Sequence, residues 1–406
     1  MRFKRVVTDP MLFWLCVAVS LLGLVAIWNA GYARSSAAGS VLPRELVNQT
    51  LYLVIAVFVG WLCTFVPRDK WNTLAWVGLL LSFLALIAVH LPVIGHTQNG
   101  ATRWIKLGPF TLQPAEFVKL AAVMFLAATM AGHTPWKDPK KHFKNFGERI
   151  DRVWIPKLKR GFPFLLVLIL AIVVERQPDL ATGAVIVASG VAIIVVAGVT
   201  RKSLILLALG STLLATAAVI DEPYRLERFK AHWTRWDDAN RLDKGYQTVI
   251  SETALARGGI FGVGLGNGEA KTRLPAPTTD FVLTTVGEEF GLVGVLSIVG
   301  LLGAVVWRLF WLGARSQDVF GRLVFVGLGT WIGIQACTNV VMVNGSLPPI
   351  GIPLPFVSYG GSSLLALWMA IGISMTMVAK NTRKEVAEPE TDSYGWRNRR
   401  ARISRT

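Results

Sequence analysis

Residues Leu274 to Gly294 read LPAPTTDFVLTTVGEEFGLVG and pass from a proline-stiffened turn into an apolar run. The stretch carries one isolated aspartate, Asp280, and a carboxylate pair, Glu288 and Glu289. Acidic residues are scarce, because the chain has only 25 Asp and Glu among 406 residues. Ionisable groups at membrane depth are expensive and usually face a cavity or each other. The stretch therefore predicts the start of a membrane helix with a functional carboxylate beside it.

Apolar runs of this kind recur along the chain. It is 53% hydrophobic with a mean hydropathy of +0.50, which is too apolar for an ordinary soluble protein. A run of about 18 or more uncharged residues is long enough to cross a hydrocarbon core of about 30 Å. We predict an all-α polytopic membrane protein with ten transmembrane helices at 11–30, 46–66, 71–90, 112–132, 161–175, 179–200, 203–220, 284–307, 320–343 and 362–379. The fifth run is short enough that a re-entrant segment is an alternative.

The basic residues favour one orientation of these helices. The formal net charge is +17, and Lys and Arg are concentrated in the segments that share one side if the N-terminus is cytoplasmic. Since cytoplasmic loops of membrane proteins are enriched in Lys and Arg, both termini are predicted to be cytoplasmic. Segment 221–283 then becomes a large extracytoplasmic loop between the seventh and eighth helices. Because the basic residues flank apolar runs, nucleic-acid binding is not expected.

Two cytoplasmic segments are predicted to lie outside the membrane. Segment 133–160 is basic with interspersed aromatic residues, a pattern typical of contact with anionic lipid headgroups. Residues 1–379 are predicted to form a single membrane domain, and 380–406 a basic cytoplasmic tail. The tail is polar and ends in RNRRARISRT, a composition typical of disorder.

Segment 100–120, GATRWIKLGPFTLQPAEFVKL, places charges next to the fourth helix. Pro114 suits the first turn of a helix. Glu116 and Lys119 are three residues apart, so they share a helix face and can pair. One interpretation is a self-neutralising pair. The other makes Lys119, together with Arg103 from the preceding loop, a binding group for an anionic ligand, because a guanidinium matches phosphate geometry.

Two further segments carry polar groups near membrane helices. Asp179 precedes the sixth helix, where it can cap the helix or contact a ligand. Segment 347–363, LPPIGIPLPFVSYGGSS, is apolar but too rich in Pro and Gly for a regular helix. Irregular backbone at membrane depth is tolerated only where protein or a water-filled cavity covers it. The loop is therefore predicted to dip back and line a site, with Ser358 and Tyr359 offering hydroxyl groups.

The acidic residues of the opening stretch have two interpretations. Asp280 can compensate the dipole of the eighth helix, or it can act as a single catalytic carboxylate with cationic help. Glu288 and Glu289 lie about two turns inside that helix, where the dipole effect has faded, so we predict that they pair with buried cations or polar groups. Thr278 or Thr279 is predicted to cap the helix.

Several motifs now stand in a fixed order. They are RWIxLG at 103–108, QPxExxK at 113–119, QPDL at 177–180, GYQ at 245–247, GxFGxG at 259–264, LP at 274–275, TDF at 279–281, GEExGxxG at 287–294 and LPFVSYGGSS at 354–363. Together they resemble the SEDS family of bacterial cell-wall polymerases, which includes FtsW, RodA and SpoVE. The FGVGLGN segment at 261–267 is closer to the division-type branch, FtsW, than to the elongation-type branch, RodA.

The resemblance implies a peptidoglycan glycosyltransferase that polymerises lipid II into glycan strands at the outer face of the bacterial cytoplasmic membrane. It implies that Asp280 is catalytic. The implied substrate contacts are Arg103, Glu116, Lys119, Asp179, Thr279, Ser358 and Tyr359, and the implied supporting residues are Pro114, Glu288, Glu289, Gly360 and Gly361. The implied partners are the lipid-linked glycan strand, a class B penicillin-binding protein and other division or elongation proteins. A divalent cation, Mg²⁺ or Mn²⁺, is left open as a cofactor.

Two alternative functions fit the same residues. Intramembrane charges and a re-entrant loop would also serve a lipid II flippase. A non-catalytic scaffold for the penicillin-binding protein is the other alternative. The enzyme is favoured, because a scaffold does not require an isolated acid in a proline-stiffened turn.

Overall fold

The computed structural model describes residues 8–37, 39–40, 42–92, 94–98, 101–108, 110–132, 155–198 and 201–387. Within them the helices, in chain order, are α1 (Pro10–Ala37), α2 (Arg44–Cys63), α3 (Lys70–Ala88), α4 (Pro114–Ala131), α5 (Ile155–Glu175), α6 (Leu180–Val196), α7 (Arg201–Asp221), α8 (Pro223–Trp233), α9 (Asp238–Arg241), α10 (Tyr246–Gly258), α11 (Ala270–Arg273), α12 (Val282–Arg315), α13 (Val319–Val343) and α14 (Gly361–Ala387). Three strands, β1 (Gly95–Gln98), β2 (Ala101–Leu107) and β3 (Phe110–Leu112), lie between α3 and α4.

The long helices lie where the apolar runs predicted them. In the described part of the chain, seven helices are long and apolar enough to cross a membrane, namely α1 over Pro10–Tyr32, α2, α3, α4, α12, α13 and α14 over Gly361–Val378. The chain is therefore a multi-pass membrane protein. The apolar parts of α5 and α6 are shorter, at Gly161–Glu175 and Leu180–Val196, although α5 as a whole has 21 residues. Segment 133–154 and most of the tail, 388–406, lie outside the described residues.

The expectation of an all-helical fold is wrong between α3 and α4. Here the three strands form an antiparallel sheet in the order β1-β2-β3, with Ile105 opposite Leu112 and Gly95. Strand β2 is rich in β-branched and aromatic residues such as Thr102 and Trp104, which favour extended backbone. Helix α14 continues to Ala387, past residue 380, where the tail was predicted to begin.

Helix α4 lies at the centre of the bundle. In α4, 78% of the apolar window is buried within the protein, against 22% in each of α2 and α3, which leave wide faces for lipid. Helix α13 packs against α4, α6 and α12, and α14 packs against α2. Large side chains such as Trp331, Phe125 and Phe325 fill the interior without exposure. The interior is thus built mainly on α4 and α13, which contribute the buried polar side chains Glu116, Lys119, Gln335 and Asn339.

Helix α12 is interrupted at Gly291, whose backbone (φ 65°, ψ −162°) is not helical. The loop after α10 satisfies the groups that the break exposes. Leu292 N donates to Gly259 O (2.9 Å) and Val293 N to Ile260 O (3.2 Å). In the other direction, Val263 N donates to Glu288 O (3.0 Å). The short helical segment 282–290 is therefore held by the loop, and Asp280 lies just before it.

Candidate active site around Asp280

Asp280 lies two residues before α12, on a turn that other elements fix in place. Three successive carbonyl oxygens of this turn accept hydrogen bonds. These run from Tyr359 N to Thr278 O (2.9 Å), from Ser358 Oγ to Thr279 O (2.6 Å) and from Asn339 Nδ2 to Asp280 O (2.9 Å). Among the described residues, none donates a hydrogen bond to the Asp280 carboxylate, whose side chain is partly exposed. The backbone is held while the carboxylate stays available to a ligand.

The surroundings of Asp280 make it a stronger base than an ordinary aspartate. Burial raises its pKa to about 6 from a usual value of 3.8. Arg228 and Arg103 oppose this shift, and the carboxylate of Asp179 adds to it. A group with this pKa is mostly ionised at neutral pH and still binds a proton well, which is the combination that general-base catalysis requires.

The loop from 344 to 360 forms one side of the site. Ile352, Leu354 and Val357 are buried, as expected for irregular backbone that dips into the protein. A Cβ placed on Gly351 would lie 3.6 Å from Asp280 Oδ2, so this residue borders the carboxylate. Ser358 Oγ also accepts from Leu354 N (2.8 Å), which closes the loop on itself.

The far end of the same loop is tied to α2. Gln49 Nε2 donates to Ser358 O (3.2 Å), and Gly360 N donates to Gln49 Oε1 (3.1 Å). Gly361 lies against the Tyr52 ring, where a Cβ would come within 2.8 Å. Ser358 and Tyr359 therefore support the Asp280 turn, through the Ser358 hydroxyl and the Tyr359 main-chain N–H.

Arg103 and Asp179 meet at the turn between α5 and α6. Arg103, on β2, donates from Nε to Gln177 O (2.7 Å) and from a terminal nitrogen to Pro178 O. Asp179 caps α6 by accepting from Thr182 N (3.1 Å), as the sequence predicted, and burial raises its pKa. Both side chains act electrostatically on Asp280, so the structure brings these three predicted residues together.

Lys119 does not join them. It is only 2% exposed and lies inside the bundle, with Nζ 2.9 Å from both carboxylate oxygens of Glu116. Pro114 begins α4, so Glu116 is the third residue of the helix and Lys119 is the sixth. The structure thus shows the self-neutralising pair.

Glu288 and Glu289 anchor the loop before Asp280. Glu289 accepts from Gly268 N (3.1 Å) and from Lys271 Nζ (2.5 Å), and Glu288 accepts from Ala270 N (2.8 Å). Lys271 and both carboxylates are almost fully buried. This is the pairing with buried cations and polar groups that the sequence predicted.

The predicted threonine cap is wrong, and sequence reasoning missed other residues. Helix α12 begins after Phe281 without a side-chain cap. Arg228 lies in the long segment 221–283 and is not among the predicted site residues. Asn339 was missed, although a carboxamide in an otherwise apolar helix is a signal at membrane depth.

The matches to known proteins agree with this geometry. A family model described as "Cell cycle protein", of the FtsW, RodA and SpoVE type, matches residues 10–384. The chain belongs to this family. The FtsW/RodA/SpoVE relatives include a "Probable peptidoglycan glycosyltransferase FtsW" of Coxiella burnetii, 34% identical, covering 87% of this chain and 91% of that protein. The "Stage V sporulation protein E" of Bacillus subtilis is 31% identical, covering 93% of this chain and 98% of that protein.

Solved structures of the family share the fold. One, described as "Structural coordination of polymerization and crosslinking by a peptidoglycan synthase complex", has a TM-score of 0.73 at 28% identity, covering 92% of this chain and 98% of the other. The rod shape determining protein RodA of Thermus thermophilus has a TM-score of 0.65 at 26% identity, covering 92% of this chain and 97% of the other. The resemblance read from the motifs is therefore confirmed.

Proposed function

We propose that this family member is a peptidoglycan glycosyltransferase that polymerises lipid II at the outer face of the bacterial cytoplasmic membrane. The observation that carries the proposal is Asp280, an available carboxylate on a turn anchored through three consecutive carbonyls. The names of the FtsW relatives support the same activity. They favour it over a flippase or a scaffold.

In the proposed reaction, Asp280 acts as a general base. It removes a proton from a sugar hydroxyl of the acceptor, whose oxygen then attacks the anomeric carbon of the lipid-linked donor. The bond from that carbon to the pyrophosphate breaks, and the lipid pyrophosphate leaves with the electron pair. Negative charge that develops on the leaving group requires cations nearby. Arg228 and Arg103 are two cationic side chains that act to lower the pKa of Asp280.

A divalent cation stays a prediction for this site, because Mg²⁺ is often held by one or two carboxylates together with substrate phosphates. Among the described residues, no group of three or more His, Cys, Asp or Glu side chains is placed to hold a metal ion. The carboxylate neighbour, Asp179, is already used as a helix cap, and two arginines supply positive charge.

The topology and the partners form part of the proposal. Ten spans with both termini cytoplasmic would place α8–α11 and the Asp280 turn outside the cytoplasm, where lipid II polymerisation takes place. A class B penicillin-binding protein is the proposed partner, supported by the similarity to a structure described as a peptidoglycan synthase complex. The division-type role is favoured by the FtsW names among the relatives.

Polymerisation of purified lipid II by the reconstituted protein tests the proposal. Asp280→Asn removes the base with little change of shape, and we expect the rate to fall by about 100-fold or more. Asp238→Asn is the matched control, since Asp238 is an exposed aspartate in the same loop. Near-normal polymerisation by a folded Asp280→Asn protein would show that another group is the base.

A further inference from the structure

Two carboxamides on one face of α13 connect the 344–360 loop to the Asp280 turn. Gln335 and Asn339 lie one helical turn apart and are completely buried. Gln335 Nε2 donates to Pro353 O (2.9 Å), and Asn339 Nδ2 donates to Ile352 O (2.7 Å). The same Asn339 nitrogen donates to Asp280 O (2.9 Å). Two consecutive carbonyls of the loop and the backbone of Asp280 are thus held by one helix.

The orientation of the Gln335 amide is set from the interior. Lys119 Nζ (2.9 Å) and Trp331 Nε1 (2.8 Å) both donate to Gln335 Oε1. Since these two donors can only be met by an oxygen, the amide nitrogen must face Pro353. Glu116 holds Lys119 in place from the preceding turn of α4. A polar chain therefore runs from α4 through α13 to the loop.

The 344–360 loop, which this series of polar contacts holds in place, is one wall of the site. Gly351 borders Asp280 Oδ2 and directly precedes the two carbonyls that Asn339 and Gln335 fix. Gly351 has a φ of +69°, which favours glycine, so the wall depends on one special backbone conformation. If the loop is released, both the wall and the anchored backbone of Asp280 can shift.

We propose that Gln335 and Asn339 are positioning residues for Asp280, and that Lys119 acts through Gln335 and not by contact with the substrate. The proposal deepens the proposed function and rests on it. A misplacement of about 1 Å at a reacting group can reduce the rate by about 100-fold. The two amides would therefore affect turnover more than substrate binding.

The test uses apolar replacements of similar size in the full-length protein reconstituted with lipid II. Gln335→Met and Asn339→Leu remove the donors to the loop. Gln317→Met is the matched control, because Gln317 is an exposed amide two residues before the same helix and lies outside the 344–360 loop. We expect kcat to fall by about tenfold or more in the first two variants, with KM within about twofold of the wild type.

The pH profile separates positioning from a general loss of folding. Asp280 is faced by Arg228 from α8, Arg103 from β2 and Asp179 from the start of α6. Release of the loop admits water, so the acid-limb midpoint should fall by about 1 unit towards that of an ordinary aspartate. A smaller folded fraction would scale activity equally at every pH and leave the midpoint and KM unchanged. That result would overturn the proposal.

A second measurement does not depend on activity. The titration of Asp280 can be followed as the pH-dependent difference in melting temperature between each variant and the same variant with Asp280→Asn added. If this titration shifts while polymerisation proves independent of Asp280, the positioning is correct and the proposed function is wrong. The positioning is wrong if Gln335→Met and Asn339→Leu leave the midpoint of the Asp280 titration unchanged and keep kcat within about twofold of the wild type.

A milder variant covers the case in which the others do not fold. Trp331→Phe removes one of the two donors to Gln335 Oε1 and keeps Lys119. It should lower kcat by about twofold to fivefold. This effect should vanish in the Gln335→Met background, because the effects of mutations within one hydrogen-bond network are not additive. Additive effects would show that Trp331 and Gln335 act independently, against the proposal.

Discussion

Replacement of Asp280 by Asn should make the protein more stable at neutral pH, and by an amount that depends on pH. The pKa of this carboxyl is raised from 3.8 to about 6 by burial. The folded state therefore binds the proton more tightly than the unfolded state, so stability falls as the pH rises from about 4 to about 6 and is constant above. One pKa unit corresponds to about 1.4 kcal/mol, which gives about 3 kcal/mol for the full shift. Because the side chain is partly exposed, solvent screening reduces the expected effect to about 1–2 kcal/mol.

The assay is thermal melting of the detergent-solubilised protein at one fixed scan rate, since melting of membrane proteins is often irreversible and rate-dependent. We expect Asp280→Asn to melt above the wild type at about pH 8 and close to it at about pH 4. Asp238→Asn, on an exposed residue of the same loop, should show no such trend. An Asp280→Asn protein that melts at or below the wild type at about pH 8 would refute the reasoning.

Four further outcomes follow from the same structure. Polymerisation should rise with pH through a midpoint near 6, because the base must be ionised, and a flat rate between about pH 5 and about pH 8 would contradict this. Arg228→Gln should raise that pH midpoint, because it removes a cation near Asp280, and Asp179→Asn should lower it, because it removes a carboxylate. Midpoints that move in the same direction would contradict this. Glu289→Gln should lower the free energy of unfolding by about 3–5 kcal/mol, since it leaves Lys271 buried without its counter-ion; Glu269→Gln, on an exposed carboxylate, should change it by less than about 1 kcal/mol, and equal losses would count against the buried pair. Gly262→Ala should destabilise more than Gly266→Ala by about 1–3 kcal/mol in thermal melting, because both glycines have positive φ but only at Gly262 would a Cβ meet a backbone oxygen, at 2.0 Å; equal losses would show that the contact relaxes freely.

The helices could be predicted from the sequence because their signal is local. An apolar run long enough to cross a membrane has few alternatives to a helix, since every backbone group must be satisfied within it. The α12 break was not predicted. Gly291 stands in an apolar run like any other glycine, and its conformation is stable only because residues 259–264 bond to both sides of it.

The candidate site was predictable only in part, for a similar reason. Asp280 and Asp179 were found because an acid beside an apolar run is conspicuous. The role of Lys119 depended on which helix face meets α13, and the short sequence pattern of α4 does not fix that. The strands at 95–112 were overlooked because they are short and their pairing is set by the turn at Gly108, which has a φ of +61°.

The interrupted helix α12 also bears on the order in which the protein is assembled. Residues 259–268 precede 288–293 in the chain, so they emerge first during synthesis. The carbonyl groups that accept hydrogen bonds from the backbone next to Gly291, and the N–H group that donates to Glu289, have therefore been synthesised before the broken helix. The reverse order would leave unpaired amide groups and a buried carboxylate waiting for partners not yet made. Because of this order, the hydrogen-bond partners of the break in α12 are available as soon as that helix is synthesised.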